Sequence, residues 1–96
     1  MFVHIVMFKF ATENKAQNLL KAKQQLESLV GRVPSLLSME VGIDELATAR
    51  SFDLSLYSTF ESRVGLSEYA VHPEHLKVVA FIKSVAELSR TVDYER

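Results

Sequence analysis

Phe2-Val3-His4-Ile5-Val6-Met7-Phe8-Lys9-Phe10 is dense in aromatic and β-branched side chains, and it reads as a strand. Strict apolar–polar alternation is missing. Phe2, His4, Val6, Phe8 and Phe10 would point one way, and Val3, Ile5 and Met7 the other. A strand that is apolar on both faces calls for cover on both sides of its sheet.

Beyond this strand the period changes. Between Glu13 and Val30, Leu19, Leu20, Leu26, Leu29 and Val30 fall at helical spacing, with Thr12 as N-cap and Gly31 as a left-handed C-terminal residue. Pro34 marks a short connection. Leu36 to Ile43 alternates as a second strand, residues 44–51 read as a loop, and Phe52 to Thr59 is a third strand. In that third strand Phe52, Leu54 and Leu56 share one face, and Asp53, Ser55, Tyr57 and Thr59 the other. Glu61 to Val71 is helical. Pro73 interrupts it and opens a further helix running to about Leu88, with Leu76, Val79, Ala80, Ile82 or Phe81, and Ala86 inward. Thr91 to Tyr94 closes the pattern as a last, short strand.

The order is β-α-β-β-α-β, the split-βαβ or ferredoxin-like α+β arrangement, with helices on one face of a four-stranded antiparallel sheet. Helices on one face leave the second apolar side of the first strand bare, and a bare apolar patch marks an interface or a ligand wall. The economical solution is a homodimer in which two sheets face each other as a barrel, leaving a cavity between each sheet and its helices. Dimerisation also suits a chain of this size, which alone buries roughly 65% of its unfolded surface.

Composition narrows the function. The 96 residues fit one domain, spanning 1–96. A net charge of −1 lacks the basic excess of a nucleic-acid-binding domain. Without cysteine there is no disulfide, thiolate nucleophile or zinc ribbon. No apolar run approaches a membrane span, and Met1 to Ile5 lacks a secretory pattern, so the expected setting is cytoplasmic.

Three histidines carry the candidate chemistry. His72 and His75 flank Pro73 in Tyr69-Ala70-Val71-His72-Pro73-Glu74-His75. At a helix N-terminus the imidazolium is disfavoured, so His75 would stay neutral and able to take a proton. A tyrosine hydroxyl, from Tyr69 or Tyr57, could polarise a substrate carbonyl beside it. His72 is explained equally by an N-cap role, and His4 by a hydrogen-bonded core position. His72 and His75 with Glu74 or Glu40 do not form a zinc spacing, and the three glycines form no phosphate-cradling run. Neither a metal nor a cofactor is therefore expected. No Gly-x-Ser-x-Gly elbow occurs.

Taken together, His4 to Phe10, Val33-Pro34 before Met39-Glu40-Val41-Gly42, Phe52-Asp53-Leu54, Tyr69-x-x-His72-Pro73-x-His75 and Val92-Asp93-Tyr94 resemble the stress-responsive A/B-barrel (Dabb) family over essentially the whole chain. The resemblance implies a ferredoxin-like subunit in a dimeric α+β barrel. Plant members include olivetolic acid cyclase, which closes a linear polyketide by an intramolecular aldol reaction. There a histidine is the general base and a tyrosine orients the carbonyl. By resemblance those roles fall on His75 and Tyr69, with His4 lining the pocket, and Leu26 stands where the cyclase has a pocket tyrosine. The expectation is a homodimer taking a small apolar carbonyl ligand, with His75 and Tyr69 catalytic and His4, His72 and Tyr57 binding. Two other readings stay open: a structural or stress-protective oligomer without chemistry, and a cofactor-free monooxygenase like other dimeric α+β barrels.

Overall fold

The computed structural model describes Met1 to Arg96. Strand β1 (Phe2–Phe10) leads into helix α1 (Lys15–Glu27). Strands β2 (Ser38–Ile43) and β3 (Leu54–Phe60) follow, then helices α2 (Arg63–Val71) and α3 (Pro73–Val85), and strand β4 (Ala86–Glu95). The sheet is antiparallel throughout, in the order β2-β3-β1-β4. The two-faced β1 is thus a central strand, paired on both edges, which accounts for its lack of alternation.

One face of the sheet is covered by helices. Phe2, Val6 and Phe10 from β1, Leu54, Leu56 and Phe60 from β3, and Val41 from β2 join a single core with Leu19, Ala22 and Leu26 of α1, Tyr69 of α2, and Val78 and Ile82 of α3. Gly65 lets α2 approach β3 closely, because a Cβ there would lie 3.3 Å from the Phe60 Cβ. The ends of the sheet are tied by polar groups. The Asp53 carboxylate accepts the Phe10 amide at 2.8 Å, and the Asp53 amide donates to the Phe8 carbonyl at 2.8 Å. At the β2 edge, Lys23 Nζ donates to the Val41 carbonyl at 2.6 Å, while Glu27 Oε2 accepts the Val41 amide at 3.3 Å. An edge residue that would otherwise present free backbone groups is thereby satisfied from α1.

Several boundaries differ from those read in the sequence. Helix α1 begins after Asn14, which takes the left-handed conformation (φ 53°), rather than at a Thr12 cap. Gly31 does adopt positive φ, at 90°, but in the turn beyond the helix end at Glu27. The buried stripe of α3 is Val78 and Ile82, whereas Leu76 is exposed. The largest difference is β4. Ala86 turns extended (φ −94°, ψ 142°), and the chain pairs with β1 from there to Glu95. Ala86-Glu87-Leu88 has helical propensity, but the unpaired edge of β1 captures it, a case of tertiary pairing overriding local preference.

A candidate acid–base cavity between sheet and helices

Side chains alternate along β1, so the residues it turns towards the helices include His4, Val6 and Phe8. Above them, α1, α2 and α3 leave a cavity of about 240 Å3. Its walls are mostly apolar, formed by Val6, Phe8, Leu26, Leu56, Val78 and Ile82 among others, and the polar residues lining it are His4, Tyr69, His75, Lys83 and Ser89. A larger cleft of about 450 Å3, beside Pro34, Ser35, Glu68 and His72, has only Val33 as an apolar wall. The smaller cavity has the composition of a small-molecule site.

His75 lies in the first turn of α3, fixed there by Pro73 at the helix start. Its Nδ1 is 3.3 Å from the Ala70 carbonyl oxygen, which can only accept, so Nδ1 carries the proton and Nε2 presents a lone pair. Burial holds the imidazole below its ordinary pKa. The Ala70 hydrogen bond opposes that shift, and the neighbouring His4 and His72 add to it. The ring rests on that of Tyr69, with centroids 4.0 Å apart, and Tyr69 in turn packs on Phe60 at 5.3 Å. Burial also pushes the Tyr69 phenol well above its usual range, keeping it protonated. A neutral imidazole with a free nitrogen and a neutral phenol therefore sit in contact on one wall.

His4 faces the same cavity from β1. Its Nδ1 pairs with the Asp93 carboxylate, its direct cross-strand partner on β4. The carboxylate orients the ring and leaves Nε2 as the other exchangeable position. Sequence reasoning had not placed Asp93 here. The signal was Asp93 in the alternating run Arg90-Thr91-Val92-Asp93-Tyr94, but its register against His4 is set only when β4 pairs. Lys83 and Ser89 were missed for the same reason.

The structure brings together His4, Tyr69 and His75. It does not bring His72 or Tyr57 to them. His72 caps α3, its Nδ1 accepting the Glu74 amide at 3.1 Å, and it lines the separate cleft beside Ser35. Tyr57 pairs with Ile5 on the opposite face of the sheet, where its hydroxyl accepts a hydrogen bond from Arg96 at 2.7 Å. No three His, Asp or Glu side chains cluster closely enough to hold a metal ion. No helix is long and apolar enough to cross a membrane.

An antiparallel four-stranded sheet with all its helices on one face, enclosing an apolar cavity with imidazoles at one end, defines a ferredoxin-like α+β subunit. Within that class the chain belongs to the stress-responsive A/B barrel domain family, whose family model matches residues 2–96. It is 28% identical over 96 residues to a stress-response A/B barrel domain-containing protein of Arabidopsis thaliana, covering 97% of this chain and 84% of that one. Among solved structures, a dimeric protein of unknown function and ferredoxin-like fold from Bacteroides fragilis superposes with a TM-score of 0.91 at 27% identity, covering 99% and 95% of the two chains. A hydroxynitrile lyase from Passiflora edulis shares the fold, with a TM-score of 0.84 at 18% identity and coverage of 97% and 90%.

Proposed function

We propose that this protein is a homodimer whose subunits each bind a small apolar carbonyl compound and exchange a proton next to the carbonyl. His75 is the general base and Tyr69 the donor to the carbonyl oxygen. The observation that carries the proposal is the state of His75: with Nδ1 committed to Ala70, the neutral ring offers Nε2 as a base. Abstraction breaks an α C–H bond, moves its proton to Nε2 and leaves an enolate, whose developing charge accepts a hydrogen bond from the Tyr69 hydroxyl. His4, held by Asp93, lines the same end of the cavity and supplies a second polar contact. The imidazolium exchanges its proton with solvent and returns one to the carbon, which re-forms the C–H bond and the neutral imidazole. That a hydroxynitrile lyase uses this fold supports an enzymatic reading over a purely structural one.

The homodimer is supported by the dimeric description of the Bacteroides fragilis protein and by the apolar side chains on the uncovered sheet face, including Met7, Leu88, Val92 and Tyr94. A structural oligomer without chemistry is the outcome to be separated from this reading. The test is hydrogen–deuterium exchange at the α-carbons of 2-octanone in D2O, followed by NMR. The native protein accelerates exchange, and His75→Gln lowers the acceleration by about 100-fold or more while leaving the fold intact. Equal acceleration by native and His75→Gln protein, or none by either, overturns the assignment.

A further inference from the structure

The cavity has two chemically different ends. His75 and Lys83 are both on α3, eight residues apart, so their backbones are separated by about 12 Å along the helix axis. The sheet gives the same length independently: His4 lies opposite Asp93 and Phe8 opposite Ser89, and the four residues from His4 to Phe8 span about 13 Å. The imidazoles and Tyr69 therefore occupy one end, and Lys83 with Ser89 the other, with Val6, Leu56, Val78 and Ile82 forming apolar wall.

Charge bookkeeping singles out Lys83. His4 is paired with Asp93, and His75 is held neutral by its surroundings. The ion pairs of the chain engage the amino terminus, His4, Lys15, Lys23 and Lys77. Lys83 has no acidic partner, so it is the one unpaired full charge lining the cavity. A flexible ammonium at the rim of an apolar chamber can swing onto an anion delivered by a ligand.

We propose that the ligand of this cavity is a carbonyl compound carrying a carboxylate at the far end of an apolar chain, an oxo acid rather than a neutral ketone or aldehyde, with Lys83 as the residue that selects it. The inference rests on the proposed proton-exchange site and adds the substrate class and its polarity: carbonyl towards His75 and Tyr69, carboxylate towards Lys83 and Ser89. A volume of about 240 Å3 falls below the roughly 300–1,000 Å3 of pockets for drug-sized ligands, so the chain between the two groups is short.

The experiment compares 7-oxooctanoate with uncharged 2-octanone, measuring affinity by ligand-observed NMR and α-carbon deuterium exchange with native protein, Lys83→Met, Lys83→Arg and His75→Gln. Lys83→Met keeps the stem and removes the charge, and Lys83→Arg keeps the charge. The native protein is expected to bind the oxo acid about tenfold more tightly than the ketone, the scale of a hydrogen bond to a charged group. Lys83→Met brings the affinity for the oxo acid down to that for 2-octanone, and Lys83→Arg restores most of the preference. His75→Gln abolishes exchange yet keeps the preference, because the two ends are separate. Equal affinity for both probes, or a preference that survives Lys83→Met, overturns the role of Lys83 while leaving His75-dependent exchange standing. Loss of exchange with both probes in the native protein overturns the underlying reading and this inference together.

Discussion

The two faces of the sheet are built from the same strands and are treated differently by the rest of the chain. On the covered face, Phe2, Val6, Phe10, Leu54, Leu56 and Phe60 are nearly inaccessible, and two polar side chains among them have partners: Ser58 Oγ donates to the His4 carbonyl, and His4 binds Asp93. On the open face, Met7, Leu88, Val92 and Tyr94 are all more than a third exposed. Tyr57 reaches Arg96, and the opposing residues in β2 are Ser38, Glu40 and Gly42. One face holds the subunit together and carries the cavity, whereas the other meets the surroundings. Where apolar atoms are buried they stabilise the fold by roughly 25 cal/mol per Å2; where they are left in water they favour association.

The contrast is sharpest at Phe60. Its ring is fully buried, touches Tyr69 and lies under the close approach of Gly65. Phe60→Ala leaves a void that a β3 backbone paired with β1 and a packed helix cannot collapse to fill. The expected loss is about 3–5 kcal/mol of unfolding free energy, measured by urea denaturation. It also loosens the Tyr69 ring and, through it, the His75 stack. A loss below about 1 kcal/mol would mean that the covered face is not the stabilising one.

A smaller effect tests the electrostatics of the same face. The His75 imidazole is held below its ordinary pKa by burial, so the folded chain binds fewer protons at this site than the unfolded chain. The resulting stability is fully present above about pH 6.5, the unfolded value, and is lost as pH falls toward the depressed folded value. Unfolding free energies of native protein and His75→Gln, compared at about pH 7.5 and about pH 5, isolate this component from the other titrating groups. The native protein should lose more on acidification than the variant does. Equal losses would mean that the ring is not buried in solution.

The sequence carried the covered face better than it carried the cavity. The double-sided apolarity of residues 2–10 announced a strand that needs cover on both faces, and His72-Pro73 announced a helix start, because both are local properties of consecutive residues. Tyr57 shows a local signal not carried through to the site. Alternation already set it opposite Leu54 and Leu56, on the face away from His4, so it could not join Tyr69. Asp93 and Lys83 were beyond reach for another reason. Their positions follow from where α3 ends and how β4 registers on β1, and Ala86-Glu87-Leu88 suggests continued helix until the β1 edge is supplied. Leu76 and Val78 exchange roles likewise, since an apolar helix in this chain offers more than one stripe and only packing chooses between them.

The smallest effect on folding is expected on the open face, and there it is most informative. Val92 is 59% exposed in the single subunit, and its neighbour across the ladder is Ile5. Val92→Asp adds a charge that water solvates, so the stability of an isolated subunit should stay within about 0.5 kcal/mol, as for surface substitutions that break no cap, core or pair. The same charge placed between two facing sheets would be desolvated without a partner. Sedimentation or light scattering should therefore find dimers in the native protein and monomers in Val92→Asp, and the native melting temperature alone should rise with protein concentration. A Val92→Asp dimer would place the contact elsewhere on the molecule. A large stability loss at concentrations where native and variant chains are both monomeric would mean that the open face contributes to the subunit core, and the division between the two faces would fail.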